Sequence, residues 1–147
     1  MEQTINTALA HHQAGRLEEA ERLYREILHT HPDLPDALHL LGVLHHQRGN
    51  HDEAIALIRR AIQSRATSAM QSNLGLALKA TGLLDDAVVA FHQALLLAPD
   101  DAVACANLGN VLRQLGRFDE AVSYCQRAIA IKPDLADAHN SLGLALQ

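Results

Sequence analysis

The sequence predicts an all-α fold of stacked antiparallel helical hairpins, and three observations carry that expectation. Glycines recur on a fixed period: Gly15, Gly49, Gly82 and Gly116 stand 34, 33 and 34 residues apart. A period of this size is the signature of a repeat architecture. An alanine follows each of them by five residues, at Ala20, Ala54, Ala87 and Ala121, and another glycine precedes the last three by seven, at Gly42, Gly75 and Gly109. Apolar residues make up 48% of the 147-residue chain, yet aromatics only 3% and Trp none, so the core falls to Leu, Ala, Ile and Val. Leu and Ala are strong helix formers, and only four prolines interrupt the chain.

The period divides the chain into repeats 1–34, 35–67, 68–101 and 102–135, then a lone first helix from 136 to 147. Each repeat holds two amphipathic stretches split at a turn glycine, which predicts nine helices in one domain. In the first repeat the opening helix is polar, with Thr4 and Thr7 at places that are usually large and apolar. It suits an N-terminal cap, which stacked repeats need for solubility. The second repeat is one residue short and carries Ala66 where Pro32, Pro99 and Pro133 end the others; Thr67 or Ser68 can cap the helix that follows. Every second helix opens on acids: Glu18-Glu19, Asp52-Glu53, Asp85-Asp86 and Asp119-Glu120. Carboxylates there face unpaired N–H groups and the positive end of the helix dipole. Gly42, Gly75 and Gly109 are expected to let the partner helix approach closely, against Ala54, Ala87 and Ala121. In an antiparallel hairpin, contacting positions sum to a constant; with the eighth and twentieth places paired, the fourth and twenty-fourth also meet. In the fourth repeat these are Cys105 and Cys125, expected as buried, reduced core thiols. The last helix leaves Leu142, Leu144 and Leu146 with no second helix to cover them. The chain is therefore expected to be part of a longer protein, or this end to be covered by a partner. End-to-end self-association through the C-terminal helix follows from the same apolar surface.

These residues resemble the tetratricopeptide repeat family. The Leu-Gly pairs of its first helix are Leu41-Gly42, Leu74-Gly75, Leu108-Gly109 and Leu142-Gly143. The large second-helix residue is Tyr24, Ile58, Phe91 or Cys125, and the small one after it is Ala61, Ala94 or Ala128, with Ile27 in the first repeat. The resemblance spans the whole chain and implies a right-handed superhelical solenoid. It also implies a function: binding a peptide segment or a protein surface in a concave groove lined by the first helices. It places Asn6, Leu40, Asn73, Asn107 and Ser141 at the sixth place of each repeat and Asn110 at a ninth. Asparagine carries donors and an acceptor, so it can bond an extended peptide backbone without demanding a sequence. The candidate peptide-binding residues are Asn6, His39, Asn73, Asn107 and Asn110, with Lys79 and Arg113 near the rim. The asparagines also resemble the repeat region of O-linked N-acetylglucosamine transferases, although Leu40 interrupts the row. That raises a second reading, the substrate-recognition region of a larger glycosyltransferase-like enzyme. The Lys and Asn clamp of chaperone-binding members is missing: the fifth places hold Ile5, His39, Ser72, Ala106 and Asn140.

Other chemistries find little support. The net charge is −5 and the longest basic run is Arg59-Arg60, so no nucleic-acid partner is expected. No stretch approaches the ~18 apolar residues of a membrane span. The start lacks the basic and apolar regions of a secretion signal, and two cysteines are too few for a disulfide scaffold. A cytoplasmic protein is expected. Ten histidines raise the question of metal. His12, His39 and His46 share one wall, but no Cys or acid completes a set, and His11 and His45 fill the place of the family's usual Tyr. No metal or cofactor is expected. Ser64, Ser68, Ser72 and Ser123 lack a His–acid relay, and the glycines form no phosphate loop, so no catalytic residue is assigned.

Overall fold

The computed structural model describes residues 1–147 as nine α-helices without a strand. They are α1 (Glu2–Gln13), α2 (Leu17–Thr30), α3 (Pro35–Gln47), α4 (His51–Ser64), α5 (Ser68–Ala80), α6 (Leu84–Leu97), α7 (Ala102–Gln114), α8 (Phe118–Ile131) and α9 (Ala136–Ala145). The helices pair in sequence order, α1 with α2, α3 with α4, α5 with α6 and α7 with α8. The chain forms two compact units, Met1–Ala66 and Thr67–Gln147.

One turn geometry is used four times. Gly15, Gly49, Gly82 and Gly116 all adopt φ between +79° and +83°, where a side chain would be strained. The residue after each glycine donates its N–H back across the turn: Arg16 to His11, Asn50 to His45, Leu83 to Leu78 and Arg117 to Leu112, at 2.8–3.0 Å. This 6→1 bond, with glycine at the left-handed position, is a Schellman stop, and it satisfies carbonyls that the helix end would leave orphaned. The same residue is the N-cap of the next helix, so the two helices are forced into a tight antiparallel pair. The acids foreseen for the second helices do lie in their first turns, and none of these four helices has a side-chain cap bond. Thr67 accepts the Met70 N–H at 3.1 Å, supplying the cap expected where the second repeat lacks its proline.

In the N-terminal unit the core gathers Ala8, Ala20, Tyr24, Leu41 and Leu44, with Leu17, Leu23, Leu28, Leu40 and Leu57 packed around it. Helix α1 buries only Ala8 and His12, in keeping with its polar composition. His12 is a core residue rather than part of an open wall. Its Nε2 lies 2.8 Å from Gln47 Oε1 and its Nδ1 3.2 Å from the Tyr24 hydroxyl. Burial pushes the Tyr24 phenol up to about 12. In the C-terminal unit, Leu74, Leu78, Phe91, Leu108, Val111 and Leu112 fill the space between helices.

The small residues act as foreseen, with one shift of register. A Cβ added to Gly42 would stand 2.6 Å from Ile58 Cγ1; added to Gly75, 2.7 Å from the Phe91 ring; added to Gly109, 2.6 Å from Cys125 Sγ. The knob over each glycine is thus the large residue four places after the alanine. Ala54 and Ala121 contribute their backbone carbonyls, at 3.3 and 3.2 Å. Helical side chains lean toward their own N-terminus, which carries the later residue back over the glycine.

Candidate functional site

Within the C-terminal unit, α5 and α7 lie side by side. Asn73 and Asn107 hold equivalent places on them, 34 residues apart. The surface of α7 is a stripe of Val103, Asn107, Asn110 and Gln114, spaced four, three and four residues, which one helix face presents together. The matching stripe on α5 is Ala69, Asn73, Leu76 and Ala80. Asn73, Lys79, Asn107, Asn110 and Arg113 are all half-buried. Ala106 is buried, leaving Ser72 alone of the two fifth places with any surface.

The polar groups on α7 are already organised. Asn110 Oδ1 accepts from Arg113 at 2.9 Å and from Gln114 Nε2 at 3.0 Å. Its acceptor is therefore engaged, and the Asn110 amide N–H groups are what it can offer a ligand. Arg113 reaches back along its own helix for this bond, and its Nε is enclosed without a hydrogen-bond partner. Gln114 joins this cluster although it was not among the expected residues; its signal is only the four-residue spacing from Asn110. Ser141 is buried against the helices beside α9, so the asparagine row does not continue onto an open surface there.

In the N-terminal unit, Asn6 is exposed on α1 and His39 is half-buried on α3. Burial holds the His39 imidazole below the usual histidine range, and Asp36 only partly offsets this. His39 is thus mostly neutral near pH 7. His46 is likewise lowered, first by burial and then by His51, whose Nδ1 lies 2.9 Å from its own. His45 is buried beside Arg25, at 3.3 Å, and between the carboxylates of Glu21 and Glu53, at 3.7 and 3.6 Å. No three His, Cys, Asp or Glu side chains gather where they could hold a metal ion. No helix is long and apolar enough to cross a membrane.

Comparison with known proteins agrees with the helical-repeat fold. No curated protein matches the sequence significantly. Among solved structures, MamA is 26% identical with a TM-score of 0.87, over 94% of this chain and 81% of its own. YrrB, described as a TPR protein with an unusual peptide-binding site, is 23% identical with a TM-score of 0.85, over 97% and 74%. The pilF protein of Pseudomonas aeruginosa is 22% identical with a TM-score of 0.90, over 99% and 67%. The last two show the fold alone. Family models described as tetratricopeptide repeat match residues 5–69, 69–101 and 102–135, the first spanning two turn glycines and the others one each. Repeated in phase from one end of the chain to the other, the glycine turn and its paired helices place this protein in the tetratricopeptide repeat family, whose members are generally non-catalytic interaction scaffolds.

Proposed function

We propose that the protein is a scaffold that binds a peptide segment or a protein surface on the face formed by its first helices. The observation that carries this reading is the placement of Asn73 and Asn107 at equivalent positions on the adjacent helices α5 and α7, with Asn110 one turn further on. Amide side chains repeated at one helical position suit a peptide backbone, whose donors and acceptors also repeat. Lys79 and Arg113 border the face. Asn6 and His39 are the corresponding candidates in the N-terminal unit. The neighbour YrrB supports the reading in kind, being described as a peptide-binding repeat protein.

Such binding should be weak and tolerant of sequence. Tight interfaces depend on a few buried aromatic or arginine anchors, and this face has no aromatic residue. The test is a pull-down with the native protein beside an Asn73→Ala/Asn107→Ala variant, followed by calorimetry on any peptide recovered. Loss of partners from the variant, with micromolar affinity for the native protein, supports the assignment. Undiminished capture by the variant overturns it, and nanomolar affinity for one short peptide contradicts the tolerance.

A further inference from the structure

Elsewhere in the C-terminal unit, α6 and α8 flank a groove of about 380 Å³ lined by His92, Leu95, Leu96, Pro99, Tyr124 and Arg127. Helix α6 carries apolar residues that its fold does not require. Val89 is 58% exposed and Leu96 75% exposed. They are seven residues apart, about 10.5 Å along one face of the helix. At the places of Val89 the other second helices have Arg22, Ala56 and Ser123; at the places of Leu96 they have His29, Gln63 and Ala130. Repeat packing is therefore satisfied by small or polar residues there, and the apolar stripe is peculiar to α6. Exposed apolar stripes of this kind mark interaction surfaces.

The groove also has a charge character. Arg127 donates to the Pro99 carbonyl at 2.9 Å, with no carboxylate of the groove lining to pair with. The corresponding Arg60 in the N-terminal unit makes the same bond to Pro32 at 3.0 Å, but it is also paired with Asp33 at 3.4 Å. The proline contact thus belongs to the repeat, and the unpaired cation belongs to this groove. His92 and Tyr124 stand edge to face at 5.6 Å and form an aromatic wall between the two ends.

We infer that the α6–α8 groove is a second docking surface, separate from the first-helix face, for an acidic amphipathic helix of a partner protein. Two apolar side chains of that helix, about two turns apart, would cover Leu96 and Val89. A carboxylate beside the first would meet the Arg127 guanidinium. Helix-in-groove recognition combines such spaced apolar anchors with flanking charge. The Arg127 guanidinium, which has no carboxylate in ion-pairing contact, is the group that selects an acid here.

The test uses the full chain, isotope-labelled, and a synthetic amphipathic helix of about 16 residues with leucines four and seven apart and flanking glutamates. A counterpart peptide has lysine in place of each glutamate. The expected result is amide shifts centred on Val89, His92, Leu96, Tyr124 and Arg127, with the lysine peptide binding about tenfold or more weaker. Leu96→Glu should abolish the shifts. Arg127→Gln, which keeps a donor for Pro99, should remove the preference for the acidic peptide, and circular dichroism checks that both variants stay helical. The Asn73→Ala/Asn107→Ala variant should bind this peptide as the native protein does. Equal binding of the two peptides, shifts centred on α5 and α7, or no shifts at about 1 mM peptide would each overturn the assignment.

Discussion

Among single residues, the glycines divide into the two kinds that the period separates. Gly82 and its equivalents are needed for backbone conformation; Gly42, Gly75 and Gly109 are needed because the partner helix leaves no room. Gly143 shares the helical position of Gly109, yet a Cβ there would meet nothing within 4 Å. Gly109→Ala would push a methyl group to 2.6 Å from Cys125 Sγ and 3.2 Å from the Ala121 carbonyl. Overpacking of this kind costs about 1–3 kcal/mol. Gly143→Ala should instead be neutral or stabilise by up to about 1 kcal/mol, because alanine is the better helix former. Urea denaturation of the pair decides it: equal effects would show that packing is not what excludes the methyl at Gly109. Cys105 and Cys125 are both fully buried, unpaired thiols, and burial raises the pKa of each. Fewer thiolates and no access mean slow reaction. A thiol reagent should modify neither in the native protein and both on unfolding; rapid labelling of either in the folded state would show that the fourth repeat opens readily.

At the scale of elements, a 12–14-residue helix is marginal alone, so what each hairpin touches decides its stability. In the N-terminal unit, Glu21 of α2 links to α3 through Arg48, which caps that helix, and to Arg25 one turn along α2, at 2.9 Å. The hydrogen bond from Arg48 is the main reason its carboxyl is held below the usual glutamate range, with Arg25 adding to it and burial opposing. A carboxylate lowered in the folded state adds stability that is present above the pH where a free glutamate titrates, about 4.3, and is lost as pH falls through the lowered value. Glu21→Gln should cost about 1 kcal/mol near pH 7. The gap between native protein and variant should narrow as pH falls below the free glutamate value and close only once it has passed below the lowered one, where both carry a neutral side chain. A gap that stays constant from pH 7 to pH 3 would show that the link acts by shape rather than charge.

At the scale of the whole molecule, the repeats make surfaces rather than a site. Leu146 is 67% exposed and Leu144 41%, and both lie at the end of α9. We propose that this apolar end associates with other copies or with a partner. Light scattering should show concentration-dependent association that Leu146→Glu reduces; association unchanged by that substitution would place its cause elsewhere.

Helix number, hairpin order and turn positions were legible because each depends on local chemistry repeated on a period. A glycine that must take positive φ and a helix stop that must satisfy its carbonyls look alike in every repeat. The acidic first turns and the Thr67 cap were legible for the same reason. The remaining features depend on neighbours distant in sequence. The residue over each glycine proved to be Ile58, Phe91 or Cys125, because side-chain lean shifts the contact by a turn. His12 proved to be core because Tyr24 and Gln47 both reach it, and no spacing rule brings those three together. Asn110 keeps only its donors because Arg113 and Gln114 occupy its oxygen. Val89 and Leu96 lie in α6, whose sequence is apolar over most of its length. Only the packing of α6 shows which of its apolar residues the fold buries and which it leaves to face outward.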